Sequence, residues 1–188
     1  MSISTVGLDL AKNVFQVHAV DRLGRPVLRK FLRRVEMTSF FTRLSPCLIG
    51  MEACAGAHFW ARKLTELGHT VRLMAPQFVK PYVKGNKNDA RDAEAICEAV
   101  SRPTMRYVPV KSKEQQAALA VHRVRQGSVT ARTAQVNQIR GLFGEFGIVL
   151  REGVSSINRQ VPEILAPLRR KPSGSYLPKI QWLLYAER

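Results

Sequence analysis

The sequence predicts an α/β fold, with five strands in one mixed sheet, flanking helices and a long helix after them. Three observations carry this expectation. Three β-prone runs crowd residues 3–32, with turn chemistry between the second and third. From there to residue 100, helical and strand patterns alternate. Beyond residue 110 the strand signals stop and a long polar-rich helical pattern takes over.

Taken in order, Ile3–Leu10 is short and β-branched at its start, and Val14–Val20 is a second run. Asp21-Arg22-Leu23-Gly24-Arg25-Pro26 supplies the turn before Val27–Leu32. Strands this closely spaced form an antiparallel meander. Glu36–Leu44 is helical and stops at Pro46, and Cys47–Met51 is a compact apolar run, the pattern of a buried strand. Phe59–Leu67 is amphipathic, with Gly68 placed to close it. Thr70–Met74 is the next strand, and Pro76 can open a short helix at its first turn. Asp89–Val100 is a stronger helix, with acids near its start and Pro103 beyond its end. Strands linked through helices should run parallel, by right-handed crossovers.

Ser112-Lys113-Glu114-Gln115 is a capping-box pattern that opens a helix running to about Phe146. Within it Val129, Val136 and Phe143 recur every seven residues, as do Ile139 and Phe146, while Arg125 and Arg132 fall on the second row. A helix packed on its own domain and a coiled-coil partner surface both fit this seam. After Gly147 come Pro162, Pro167, Pro172 and Pro178, a pattern of short helical pieces and loops without a second core. The expected division is an α/β domain over 1–108 and a basic helical region over 109–188.

Composition narrows the function. The chain has 188 residues, 45% of them hydrophobic and 23% charged, which suits a globular protein. No apolar run approaches the roughly 18 residues that span a bilayer. The N-terminus reaches Asp9 too early for a secretory signal, and the expected location is cytoplasmic. Cys47, Cys54 and Cys97 have no metal-ligand spacing and are expected to be small buried hydrophobes. The charge is the outlier. Thirty Lys+Arg against fourteen Asp+Glu give +16, so the surface seeks polyanions, with nucleic acid the default partner and no membrane.

In so basic a chain the acids stand out. Asp9 ends the first strand among apolar neighbours, where a carboxylate is costly unless paired or metal-bound. Glu52 ends the fourth strand and is followed by small residues, Ala53 to Ala57. If those strands are neighbours, both acids reach one crevice at the carboxyl end of the sheet. Asp89 and Asp92 are three apart on a helix and share a face. Each has an ordinary explanation alone, as a cap, a turn residue or a first-turn acid. Together they make a set for two hard divalent cations, one activating the attacking oxygen and one stabilising the leaving oxygen in phosphoryl transfer.

Lys12, Lys84 and Lys87 lie close in sequence to these acids and are candidates for phosphate contacts. Arg123, Arg125, Arg132 and Arg140 mark the long helix, and the last three share a face with few acids near to pair with them. They too are expected to contact nucleic acid. His18, His58, His69 and His122 are dispersed and not expected to bind metal; His58 should pack near Trp60.

Three stretches carry a family resemblance. They are Gly7-Leu8-Asp9-Leu10-Ala11-Lys12, Met51-Glu52-Ala53-Cys54 followed by Ala57-His58-Phe59-Trp60, and Lys87-Asn88-Asp89-Ala90-Arg91-Asp92-Ala93. With the strand order, they resemble the DEDD insertion-sequence transposases, a group that includes Piv-type DNA invertases and bridge-RNA-guided recombinases. The run from Arg132 to Leu142 with Glu145-Phe146-Gly147 is similar to that family's long helix, so the resemblance covers roughly residues 3–150. It implies an RNase H-like, RuvC-type fold and a catalytic and metal-binding tetrad of Asp9, Glu52, Asp89 and Asp92. It also implies two Mg²⁺ ions, with Mn²⁺ able to substitute, and DNA cleavage and strand exchange by a homo-oligomer guided by a bridge RNA.

Family members are longer and carry a serine nucleophile in a C-terminal domain that has no counterpart here. The chain is therefore expected to be an N-terminal part, completed by that domain in cis or in trans and incomplete for recombination alone. The alternatives are a stand-alone RuvC-like nuclease for branched DNA and a non-catalytic nucleic-acid-binding remnant.

Overall fold

The structure, a computed structural model, describes residues 2–84 and 89–166, with the side chains of residues 89 and 90 excepted. The chain divides into two compact units, Met1–Gln116 and Ala117–Arg188.

In the first unit, β1 (Thr5–Leu10), β2 (Val14–Val20) and β3 (Pro26–Arg33) form the expected antiparallel meander. Asp21 organises the second turn, its Oδ1 accepting from the backbone N–H groups of Leu23 and Arg25, each at 2.9 Å. A short helix, α1 (Met37–Thr42), leads to β4 (Leu48–Glu52), which pairs parallel to the other side of β1. Helix α2 (Ala57–Glu66) ends at Gly68, whose φ of 91° is the left-handed geometry expected of a helix-closing glycine. The crossover returns as β5 (Thr70–Met74), parallel to β4. Then come α3 (Pro76–Val79) and α4 (Asp89–Val100).

The sheet has a sixth strand beyond the expected five. β6 (Tyr107–Val108) pairs antiparallel with β5, and the order across the sheet is β3-β2-β1-β4-β5-β6. Two residues cannot display a period, which is why the sequence gives no sign of it. Tyr107 is fixed instead by tertiary contacts: its hydroxyl donates to the Val100 carbonyl at 3.0 Å, and Arg72 stacks on its ring at 4.4 Å. The meander followed by parallel crossovers is the RNase H-like α/β arrangement.

Strict alternation splits the sheet into two faces. Val6, Leu8, Phe15, Val17, Ile49 and Met51 point to one side, where Met37 and Phe41 of α1 and Trp60, Ala61 and Leu64 of α2 complete the main core. The other face is covered by α4, whose Ala95, Ile96, Ala99 and Val100 pack with Met74 and Val79. Cys47 and Cys97 are buried as expected. Cys54 is exposed, contrary to expectation, because it lies in the turn after β4 and not in a strand.

The second unit contains most of α5 (Lys113–Gly144) and α6 (Val154–Leu165). It has a small core of its own, which corrects the expectation of loops without one. Phe143 and Leu150 pack with Ile157 and Val161 of α6, and Val136 and Ile139 join them. Pro162 lies inside α6 and reads in sequence as a helix breaker, yet Ile157 and Val161 keep the spacing of one apolar face. Part of the seven-residue seam is thus used within this unit, while Phe146 is 61% exposed. Pro167, Pro172 and Pro178 lie outside the described residues.

Candidate functional site

Strand register brings the first two acids together. Leu8 of β1 is opposite Met51 of β4, so Asp9 and Glu52 are the next residues on adjacent parallel strands. Both are half-buried. Leu8 and Met51 turn into the main core, so alternation sends Gly7, Asp9, Gly50 and Glu52 to the α4 face. The turn after Glu52 places Cys54 in the field of both carboxylates. Its thiol pKa is raised, first by desolvation and then by Glu52 and Asp9.

Helix α4 runs antiparallel across β1. Its Cys97 Sγ lies 3.8 Å from the Thr5 carbonyl oxygen, and its Ala93 carbonyl passes directly over Gly7. Two strand residues advance about 6.7 Å and four helical residues about 6 Å, so one more step lays the first turn of α4 over the end of β1. A Cβ at residue 7 would overlap the Ala93 carbonyl oxygen and come within 2.7 Å of the Cys97 Cβ. At residue 50 it would come within 2.7 Å of the Val100 Cβ. The two glycines set the depth to which α4 sinks. Burial against them pushes the Cys97 thiol up to about 12.

Asp92 lies half-buried in the N-terminal part of α4, and Asp89 is the first residue of that helix. The side chain of Asp89 is outside the described residues. The positive end of the α4 dipole faces the ends of β1 and β4, a favourable place for negative charge. The available donors are carboxylate oxygens, the hard ligands that suit Mg²⁺ and not the nitrogen and sulfur set that suits zinc. Among the described residues, no three His, Cys, Asp or Glu side chains converge as a metal cluster.

The basic candidates are dispersed. Lys12 is exposed in the turn that follows Asp9. Lys84 pairs with Glu98, 3.0 Å away on the C-terminal half of α4, and with Arg102 it holds that carboxyl below its usual range. Lys87 lies outside the described residues. Arg123, Arg125 and Arg132 are exposed on α5. Arg140 turns inward, its side chain 33% exposed and 3.9 Å from Glu152, so it is partly a structural residue of the second unit.

Two features escaped the sequence. Gln16 and His18 of β2 occupy the α4 face beside Asp9 and Gly7, at 5% and 3% exposure. The Gln16 Oε1 and His18 Nδ1 atoms have no hydrogen-bond partner among the described residues. Burial lowers the His18 pKa more than the nearby Glu94 raises it, with Arg29 lowering it further. The alternation of Phe15, Val17 and Ala19 against Gln16 and His18 could have marked this polar stripe. His58, expected to pack near Trp60, has a role the sequence does not show. Its Nδ1 accepts from the Lys111 backbone N–H at 3.2 Å, and Arg62 Nη1 donates to the Lys111 carbonyl, so α2 grips the segment leading to α5.

Comparison with known proteins follows the same lines. A family model described as a transposase, of the DEDD IS110 type, matches residues 6–147. The chain is 66% identical over 149 residues to a "probable family 20 transposase" of Pseudomonas aeruginosa, covering 79% of this chain and 44% of that protein. It is 47% identical over 164 residues to the transposase for insertion sequence element IS1328 of Yersinia enterocolitica, covering 86% and 49%. A transposase for element IS1111A of Coxiella burnetii is 42% identical, with 87% and 45% covered. The chain spans about half the length of the curated relatives it matches. Among solved structures, it is similar to T. thermophilus RuvC in complex with a Holliday junction substrate, at a TM-score of 0.39 and 13% identity, covering 57% of this chain and 100% of that one. No helix among the described residues is long and apolar enough to cross a membrane. With a family match over three quarters of its length, the chain belongs to the DEDD insertion-sequence transposases.

Proposed function

We propose that this chain is the nuclease part of a DNA transposase, cutting and exchanging DNA strands with Mg²⁺ in the cytoplasm. The observation that carries the reading is the adjacency of Asp9 and Glu52 beneath the N-terminal end of α4, in a chain of this family. Asp9, Glu52, Asp89 and Asp92 would hold the metal, which supplies charge stabilisation to a phosphodiester under attack. Mn²⁺ substitutes for it. Gly7 and Gly50 let α4 seat its acids over the sheet. Lys12 and the exposed arginines of α5 contact DNA or a guide RNA. Residues 1–108 form the catalytic domain, and residues 109–188 form a basic helical arm that supports a homo-oligomer. Strand exchange is completed by a serine-bearing domain in cis or in trans.

Titration calorimetry with Mn²⁺ and nicking of branched DNA test this on the full chain. The Asp9→Asn and Glu52→Gln variants are expected to lose metal affinity and cleavage by more than the roughly 10–100-fold that removal of an outer-shell partner costs. Unchanged metal binding and cleavage in both variants would overturn the tetrad. Complete strand exchange by residues 1–188 with no added protein would overturn the need for a second domain.

A further inference from the structure

Strand register extends the carboxylate row outward. Asp9 is opposite Gln16, and Gln16 is opposite Phe31 on β3, so the three residues lie in line on one face of the sheet. At about 4.8 Å per strand, Phe31 is about 10 Å from Asp9 along the backbone. Cover by α4 ends between them. Gln16 and His18 are buried, and Arg29 reaches back to Glu94 of α4 at 3.2 Å. Phe31 is beyond that cover and 64% exposed. Arg29 and Arg33 flank it on the same face of β3, with side chains 59% and 75% exposed; each makes one ion pair, Arg29 with Glu94 and Arg33 with Glu36 at 3.1 Å, and keeps guanidinium N–H groups open to solvent. Lys30 and Leu32 turn to the opposite face, Lys30 onto the Phe40 ring and Leu32 into the main core.

An exposed phenyl ring on an edge strand does nothing for the core. Set between two guanidinium groups, it has the composition of a platform for a polyanion with flat bases. A neutral aromatic face stacks on any base, and arginine forks take the phosphates on either side. The net charge of +16 draws such a strand in. We propose that Phe31, with Arg29 and Arg33, is a base-stacking platform that holds a single-stranded segment of the DNA being cut as it approaches Asp9 and Glu52. This rests on the nuclease reading above. Phe31 is a positioning residue here, since it touches the strand and not the reacting atoms.

The test uses the full chain and a single-stranded oligonucleotide, with binding followed by fluorescence anisotropy. Phe31→Ala and Phe31→Leu are expected to weaken binding about 5- to 150-fold, the range that loss of one stacked base gives. Phe31→Trp should retain affinity, and its emission should be quenched by the oligonucleotide beyond the response of the parent chain. All three variants should melt with the parent, because the side chain is exposed. Asp9→Asn should abolish cleavage and leave both the binding and the quenching intact, which separates failure of the nuclease reading from failure of the platform. Single-strand affinity within twofold of the parent in Phe31→Ala would overturn the proposal. So would an unquenched Phe31→Trp variant, a loss confined to RNA, or a change in oligomeric state in place of DNA binding.

Discussion

The packing of α4 on β1 makes Gly7→Ala a severe change at a position with no chemistry of its own. The added Cβ would sit 2.5 Å from the Cys97 amide nitrogen and 2.7 Å from its Cβ, and would overlap the Ala93 carbonyl oxygen. Ordinary contact is about 3.5–4.0 Å, so α4 must withdraw by about 1 Å. The obstacles are mainly backbone and cannot rotate aside. Overpacking typically costs about 1–3 kcal/mol, and fixed obstacles place this case near 3. With a urea slope of about 2 kcal/mol per molar, the unfolding midpoint should fall by about 1.5 M. Withdrawal also carries Asp92 and the first turn of α4 away from Asp9 and Glu52. Misplacement of about 1 Å costs on the order of 10²-fold in rate, so cleavage under folded conditions should fall by that factor. The control is Gly127→Ala in α5, where an added Cβ meets nothing within 4 Å. That variant should gain about 0.5–1 kcal/mol of helix stability. A Gly7→Ala midpoint within about 0.3 M of the parent would refute the packing argument.

Two further outcomes are expected. The His58 pKa is lowered, first by burial and then by the charges of Lys111 and Arg62, so the folded state holds the ring neutral. Its contribution is complete above about pH 6.5 and is lost as pH falls below that value toward the lowered one, because the unfolded chain then binds more protons. Exchange of the Lys111 amide should therefore accelerate between pH 7.5 and 5.5 once corrected for intrinsic rate, and His58→Gln should remove that dependence; an unaltered profile in the variant would assign it elsewhere. Separately, if six to ten phosphates are neutralised, DNA affinity should fall by about 10³ to 10⁵ between about 50 and 200 mM salt. A flat response would refute electrostatic capture.

Local chemistry made most of the first unit legible. Val14–Val20 and Thr70–Met74 begin and end where their alternation and turn residues predict. The capping box forms as read: the Gln115 N–H donates to Ser112 Oγ at 3.2 Å, and the Ser112 N–H to Gln115 Oε1 at 3.0 Å. The adjacency of Asp9 and Glu52 followed from strand ends, because parallel neighbours finish at the same edge. What stayed hidden depends on contacts between distant segments. Lys84 is near the acids in sequence, yet its ammonium is drawn to Glu98. Arg140 shares a helical row with Arg125 and Arg132, but the small core at the end of α5 turns it toward Glu152. No local rule signals that Gln16 and His18 lie under a helix some seventy residues further along the chain.

The separation of Asp9 from α4 also has a kinetic consequence. The meander forms from contacts within one short stretch, as local contacts close quickly. Helix α4 begins roughly eighty residues after Asp9, so its contacts with β1, β2 and β4 close a long loop and are expected to form after the meander. On the proposed reading, the acids meet only in a domain that has finished folding. A nascent or partly unfolded chain can hold nucleic acid by its charge but has no assembled centre with which to cut it.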